Sequence, residues 1–224
     1  MNVGYIVLIA ICLIALVIIT LNIAVIKSNK NTILKNICIL LFILSFFRYF
    51  TLMVYGDKPT YQILSALRYF YFATSLGLTV PTLAAIWYIT PLYREKIKYP
   101  IYLLLFTPWI VFYLYIILMQ PTKIIVAEKF GYSLKLVGSF SLYLSIAQGS
   151  FIVIVILLCL FGIMRYQDSL LRSRYVVFII AQIALTLDGL SYFYGTSNVI
   201  PPFTVTEVFG FLAILYAFSK EIRS

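Results

Sequence analysis

Seven long apolar stretches, separated by short polar segments, constrain this chain more than any other feature. They cover approximately residues 3–26, 36–55, 61–90, 100–119, 137–164, 174–194 and 202–219. A helix needs about 20 apolar residues to cross a bilayer, and each stretch is near that length or longer. Charged residues make up only 11% of the chain, whereas an ordinary soluble domain has about 25%. We therefore predict an all-α, seven-helix transmembrane bundle that forms a single domain over residues 1–224.

Lysine and arginine are distributed unequally between the two sides of this predicted bundle. One side carries four: Lys58, Lys123, Lys129 and Lys135. The other side carries eleven: Lys27, Lys30, Lys35, Arg94, Lys96, Lys98, Arg165, Arg172, Arg174, Lys220 and Arg223. Because basic loops are retained in the cytoplasm, we predict a multi-pass protein of the cell membrane. Its N-terminus lies outside and its C-terminus lies in the cytoplasm.

The composition argues against several classes of functional site. Histidine is absent, which removes haem ligation by histidine, the usual zinc sites and the commonest general base. Cys12, Cys38 and Cys159 each lie in an apolar stretch without CxxC spacing. We interpret them as small core residues and not as a metal site or disulfide set.

Catalytic motifs are also missing from the sequence. It has no GxSxG, no HExxH and no phosphate-binding loop, and nothing places a nucleophile beside a base. The net charge of +10 lies in short clusters between apolar stretches, which is not the basic surface patch of a nucleic-acid-binding domain. We expect no enzymatic activity, no cofactor, no bound metal and no nucleic-acid partner, and the lipid bilayer as the main surroundings.

Four charged side chains inside the apolar stretches are the main functional clue. Arg48, Arg68, Asp188 and Glu207 all fall in the outer half of their predicted spans, and Gln148 lies somewhat nearer the middle. A charge in hydrocarbon is costly and is usually retained where it pairs or functions. A bundle of seven helices can turn these five side chains toward one cavity. The functional interpretation is an outward-facing pocket that binds a small polar or charged ligand, or that relays protons.

Two structural explanations compete with this pocket. Arg48 or Arg68 can pair with Asp188 or Glu207, and two buried ion pairs of this kind would only fix helix packing. Alternatively, Arg68 and Glu207 lie close enough to the outer interface to extend toward it. The pocket hypothesis fails if the four charged residues face lipid on separate sides of the bundle.

Three segments resemble a known family. The third span contains Leu76-Gly77-Leu78-Thr79-Val80-Pro81, and the fourth contains Phe106-Thr107-Pro108-Trp109; both prolines are expected inside helices. The last third, from Leu171 to Lys220, includes Pro201-Pro202-Phe203-Thr204 before the seventh span. Together with the long outer connection between spans four and five, these segments resemble the seven-transmembrane N-terminal sensor region of bacterial and archaeal sensor histidine kinases. This sequence carries no kinase domain after Ser224, so the resemblance implies a free-standing or truncated sensor region that signals through a separate partner and has no catalytic residues.

A second resemblance, to the microbial rhodopsins, is limited to Arg68-Tyr69 and Phe72-Ala73-Thr74. That family links its pigment to a lysine in the middle of the last helix. In this chain Glu207-Val208-Phe209-Gly210 occupies that region, and Lys220 lies at the inner end of the span. We therefore expect no retinal.

The sequence favours a non-enzymatic receptor-like or sensor module. Ligand binding in the outer pocket would bias helix packing, and a cytoplasmic or membrane protein partner would read the change at loops 91–99 and 165–173. One alternative is an accessory subunit of a larger respiratory or secretion complex, in which the charges pair with other subunits. Another is a small transporter, in which the charged residues form the substrate site.

Overall fold

A computed structural model describes residues 3–57, 59–127, 131–193 and 201–219, and these residues are largely helical. In chain order the elements are α1 (Val3–Ile26), α2 (Thr32–Gly56), α3 (Tyr61–Leu67), α4 (Ala73–Ile89), α5 (Pro91–Lys96), α6 (Tyr99–Leu104), α7 (Thr107–Met119), β1 (Thr122–Ala127), β2 (Gly131–Leu136), α8 (Phe140–Arg165), α9 (Ser169–Phe193) and α10 (Thr206–Ser219).

Five helical segments among the described residues are long and apolar enough to cross a membrane. They are Val3–Ile26, Thr32–Gly56, Tyr61–Ile89, Phe140–Arg165 and Ser169–Leu190. Two shorter apolar helices, α7 and α10, accompany them. Large apolar side chains are exposed along the sides of the bundle, including Val17 (60%), Leu157 (59%) and Ile180 (59%). Such side chains are stable in contact with lipid tails, so this surface is consistent with a membrane protein.

Two predicted spans are interrupted. In the third, a short 3₁₀ turn at Arg68–Phe70 separates α3 from α4. In the fourth, α6 ends at Leu104 and α7 begins at Thr107. Pro108 lies in α7, as expected, but in its first turn, where the missing N–H has no intrahelical partner to lose, so it does not kink the helix. Pro81 does lie inside α4.

The connection between α7 and α8 contains an antiparallel hairpin, which the polar composition of this segment did not reveal. Strands β1 and β2 pair from Thr122 with Leu136 to Ala127 with Gly131. Gly131 has a φ of +92°, and a β-carbon there would lie 2.6 Å from the Tyr55 carbonyl oxygen. The hairpin can therefore rest on the last turn of α2 only with glycine at this position. We call this end of the bundle the hairpin end.

Helices α1, α2, α4 and α10 pack closely around each other, and we call them the four-helix group. Gly77 marks the closest approach, because a β-carbon there would overlap the Ser45 hydroxyl and lie 3.0 Å from the Leu41 carbonyl oxygen. Helix α9 packs against α10 on one side and α8 on the other, while α8 packs mainly against α9. This arrangement leaves space between α4 and α8.

The three cysteines lie in the core, as the sequence predicts. Cys12, Cys38 and Cys159 are free, and each is fully buried. No group of three or more potential metal-ligating residues occurs among the described residues.

The opposite end of the bundle holds the loops at 27–31, 90–98 and 166–168, and we call it the basic end. Tyr166 joins two of these loops, because its hydroxyl accepts a hydrogen bond from the Leu92 N–H at 3.1 Å. The Arg172 Nε donates to the Tyr166 carbonyl oxygen at 2.9 Å. The Thr90 and Tyr175 hydroxyls, 2.9 Å apart, connect the end of α4 to α9. Two of the three loops of the basic end, 90–98 and 166–168, are thus connected by a hydrogen bond.

Candidate functional site

Of the four charged residues singled out from the sequence, Arg48 and Glu207 form an ion pair with each other, whereas Arg68 and Asp188 have other partners. The Arg48 Nε donates to Glu207 Oε2 at 3.1 Å, and the two side chains are only 5% and 9% exposed. Tyr49 donates to the same oxygen at 3.2 Å, and Thr74 donates to Oε1 at 2.7 Å. The Arg48 Nη1 donates to the Tyr71 carbonyl oxygen. The carboxylate therefore has three donors, and the guanidinium has two acceptors.

This network satisfies the condition under which a buried ion pair is tolerated. Desolvation of two charges is repaid only when the geometry is good and further hydrogen bonds satisfy the remaining atoms. Glu207 also lies in the first turn of α10, where the helix dipole favours a negative charge. The pair connects α2 with the start of α10, and Thr74 adds α4. Structural pairing explains the retention of these two charges, and the Glu207 side chain is buried and does not extend to the surface of the bundle.

Arg68 has a different set of partners. Its Nη2 donates to the Gln120 carbonyl oxygen at 2.9 Å and to Thr122 Oγ1 at 3.3 Å, and its Nε donates to Gln120 Oε1 at 3.4 Å. Gln120 ends α7 in the left-handed conformation, with a φ of +50°. Arg68 therefore fastens the turn that leads from α7 into the hairpin.

Asp188 fixes the entry into α10. Its Oδ2 accepts hydrogen bonds from the Phe203 N–H at 2.9 Å and from Thr206 Oγ1 at 2.7 Å. Phe203 has a φ of +66°, a conformation that is unfavourable for a bulky aromatic residue. The Asp188 carboxylate compensates for this strain by binding the N–H group at that position. Arg68 and Asp188 do not form the second ion pair considered from the sequence.

A cavity of about 790 Å³ lies between α4, α8 and α9, beneath the hairpin and beside the start of α10. Its lining includes three of the five residues predicted for a shared pocket: Arg48, Gln148 and Glu207. Arg68 and Asp188 lie outside its wall. Arg68 acts on the hairpin that covers the cavity, and Asp188 holds Phe203, which lines it.

Three helices each direct a stripe of uncharged polar side chains into this cavity. The stripes are Ser75, Thr79 and Thr82 on α4, Ser141, Ser145 and Gln148 on α8, and Gln182 and Thr186 on α9. Spacings of three and four residues place side chains on one face of a helix. Sequence reasoning singled out only Gln148. The common spacing in three neighbouring spans was the signal that could have identified the others.

Aromatic and aliphatic side chains complete the wall. The aromatic members are Tyr71, Phe72, Tyr113, Phe151 and Phe203. The hairpin forms the roof, and the hydroxyls of Ser133 and Tyr71 lie 2.9 Å apart. A mainly apolar wall with a few placed polar groups is typical of small-molecule sites, and the volume falls within their usual range.

The cavity ends about halfway along the helices. Its deepest lining residues on α4, α8 and α9 are Thr82, Ile152 and Gln182. One turn further toward the basic end, Ile86, Val155 and Phe178 are 0%, 0% and 1% exposed. The cavity therefore belongs to the hairpin half, and a packed layer separates it from the basic end.

Comparisons with known proteins provide no family assignment, because no protein-family model and no curated protein matches this chain. The likeness to sensor regions of histidine kinases therefore stays a prediction from the sequence. The cavity and its polar stripes are the basis on which a function can be assigned.

Proposed function

We propose that this chain is a seven-span, non-enzymatic receptor or sensor module of the cell membrane, with the hairpin end outside. In this proposal α7, with α6, and α10 supply the two spans beyond the five long ones. The cavity binds a small ligand that enters from the outside. The observation that carries the proposal is the convergence of the polar stripes of α4, α8 and α9 on one cavity beside a self-contained ion pair.

The position of the cavity supports binding and not passage. A channel, or a transporter in a state open to both sides, would need a path from Thr82 and Gln182 toward the basic end. That region is occupied by the packed layer that contains Val155 and Phe178. A transporter can open such a layer in another state, so the distinction requires a measurement of uptake.

A route from the cavity to the basic end also supports the proposal. Helices α4 and α9 both line the cavity, and at their opposite ends the Thr90 and Tyr175 hydroxyls meet. The Ser173 hydroxyl of α9 meets the Tyr216 hydroxyl of α10 at 3.0 Å. A ligand that shifts α9 against α4 would therefore alter loops 91–99 and 165–173. A ligand biases the packing only by binding one arrangement more tightly than the other. A separate partner would read this change.

Cysteine labelling tests both the binding site and the orientation. The native cysteines are fully buried, so a maleimide should react only with a cysteine that is introduced at an accessible position. Three single variants are used: Gln148→Cys in the cavity, Lys123→Cys on the exposed hairpin and Lys96→Cys at the basic end. On intact cells, an impermeant maleimide should label the first two variants and not the third. Fractions of the medium in which the cells grew should then slow labelling of Q148C and leave K123C unchanged.

The outcomes separate the competing functions. If no fraction protects Q148C, the receptor proposal is wrong, and constant copurification with other membrane proteins would favour an accessory subunit. If a fraction protects Q148C, spin labels at K30C and K96C should report a changed distance by double electron–electron resonance. Protection without such a change, together with uptake of the compound into proteoliposomes, would assign a transporter.

A further inference from the structure

We propose that the cavity accepts an uncharged molecule that donates hydrogen bonds, of the alcohol or glycoside class, with an apolar portion. This inference rests on the proposed function, because it names the ligand class of the same site.

Hydroxyl groups in the cavity wall mostly use their protons inside the protein. Ser75 donates to the Phe72 carbonyl oxygen at 2.6 Å, and Thr79 donates to the Ser75 carbonyl oxygen at 2.5 Å. On the facing helices, Thr186 and Ser145 each donate to the carbonyl oxygen four residues earlier, at 2.8 and 2.9 Å. A hydroxyl that has donated its proton retains only acceptor lone pairs. These four positions therefore offer acceptors to a ligand.

Gln182 adds an acceptor with no partner. It is 2% exposed and lines the cavity, and its Oε1 has no hydrogen-bond partner among the described residues. A buried polar atom left unsatisfied is unfavourable, and native proteins rarely retain one without a function or a bound molecule. The Oε1 atom is itself buried, so a hydrogen-bond donor on a ligand would satisfy it after the Gln182 side chain turns toward the cavity. Gln182 lies four residues before Thr186, so one donor-rich group could reach both acceptors.

The charges of the cavity favour an uncharged ligand. Arg48 and Glu207 neutralise each other. The other basic residue of the lining is Lys135, which is exposed on the hairpin roof. An ion placed beside Gln182 would therefore lack a counter-charge, and burying an unpaired charge is strongly unfavourable. A hydroxylated molecule needs no counter-charge. Its apolar portion would contact the aromatic and leucine side chains of the same wall.

The experiment uses full-length protein in nanodiscs and a hexyl β-D-glucoside with a diazirine in its alkyl chain. Photolabelled residues are mapped by mass spectrometry and are expected on α4, α8 and α9. Hexyl β-D-glucoside should compete for this labelling. Its tetra-O-methyl ether keeps the acceptors and loses every donor, so it should compete about tenfold more weakly or worse. Hexyl sulfate and hexyltrimethylammonium test the anionic and cationic classes.

Each outcome has a defined meaning. Weak competition by the ether and by both ionic compounds supports the inference. Equal competition by the ether, or stronger competition by an ionic compound, overturns the ligand class while the cavity remains a binding site. If no cavity residue is labelled while a fraction of the medium still protects Q148C, the inference fails and the proposed function stands. If no fraction protects Q148C either, both fail.

Two variants and a matched control test whether the polar side chains of α9 bind the glucoside. Gln182→Leu and Thr186→Val should each weaken competition by the glucoside about three- to tenfold, because each removes an acceptor. They should also reduce the preference for the glucoside over its ether, which a general loosening of the fold would not do. Thr20→Val is the control, because Thr20 also donates to the carbonyl oxygen four residues earlier, at 2.8 Å, but is exposed on α1 outside the cavity. It should change neither value.

Discussion

Two regions of the bundle place polar side chains away from water in different ways. In the four-helix group, Arg48 and Glu207 bind each other and three neighbouring groups, and little capacity for further hydrogen bonds remains on the carboxylate. Along the cavity, Gln182, Thr79 and Thr186 line the wall, and the Gln182 Oε1 has no hydrogen-bond partner among the described residues. The charged residues are the most conspicuous feature of the sequence, yet the uncharged polar residues are the ones that retain hydrogen-bonding capacity for a ligand.

The packing of the helices explains this difference. In the four-helix group, Gly77 lets α4 approach α2 until backbone and side-chain atoms touch. On the cavity side, a β-carbon at Gly149 of α8 would meet no atom within 4 Å. The contact at Gly77 leaves no space for water or a ligand, whereas the cavity side leaves a volume that a ligand can fill. Four experiments test this contrast, from the largest expected effect to the smallest.

Breaking the ion pair should have the largest effect. Glu207→Gln leaves the Arg48 charge buried without a carboxylate, which should lower the free energy of unfolding by about 3–5 kcal/mol. Unfolding by SDS in mixed micelles measures this value. The matched control is Glu95→Gln, an exposed carboxylate at the basic end. Replacing both Arg48 and Glu207 by Met should recover most of the loss. An E207Q protein as stable as E95Q would contradict a buried pair.

Adding one methyl group should distinguish the two regions directly. Gly77→Ala overlaps Ser45 and should cost about 1–3 kcal/mol in the same assay. Gly149→Ala adds the same group to open space in a helix, and should be neutral or stabilising by up to about 1 kcal/mol. Removing the Ser45 hydroxyl by Ser45→Ala should relieve part of the G77A defect. Equal costs for G77A and G149A would show that α8 packs more closely than described.

Removing the anchor of the hairpin should have a local effect. Arg68→Met loses the hydrogen bonds to Gln120 and Thr122, so backbone amides of 122–127 and 131–136 should exchange with deuterium about five- to tenfold faster. Lys123→Met, on the exposed face of the hairpin, is the control and should leave exchange unchanged. Global stability should change little, and an unfolded R68M protein would contradict a role confined to the hairpin.

Replacing the unpartnered glutamine should have the smallest effect on stability. Gln182→Leu removes an amide whose Oε1 is unsatisfied, so the free energy of unfolding without ligand should stay within about 0.5 kcal/mol or rise. The same SDS titration compares it with E207Q. A loss above about 2 kcal/mol would mean that Gln182 supports the fold, and would remove it from the ligand-binding wall.

Part of the site could be predicted from the sequence alone. The sequence indicates that Arg48 and Glu207 are intramembrane charges of opposite sign, and it offers four possible pairings with Arg68 and Asp188. It does not choose among them, because depth along a span says nothing of the rotation of each helix. The polar stripes on α4 and α9 were missed because Ser, Thr and Gln are common in membrane helices, where they often satisfy backbone carbonyls.

The hairpin was missed for a related reason. The connection at residues 120–136 carries lysines and looks like a polar loop, while its β-branched Thr122, Ile124, Ile125 and Val126 form a strand once a partner strand is present. Strand pairing gains its stability from neighbours across the ladder. A short segment considered by itself therefore gave too weak a signal.

The sequence by itself determined that long apolar helices dominate this protein, that its cysteines are buried and that most basic residues gather at one end, because length and hydropathy act locally along each segment. The tertiary structure decided that Arg48 pairs with Glu207, that Arg68 and Asp188 hold the hairpin and the start of α10, and that polar stripes from α4, α8 and α9 enclose a cavity. These outcomes depend on how each helix rotates and how closely its neighbours approach, which only packing fixes.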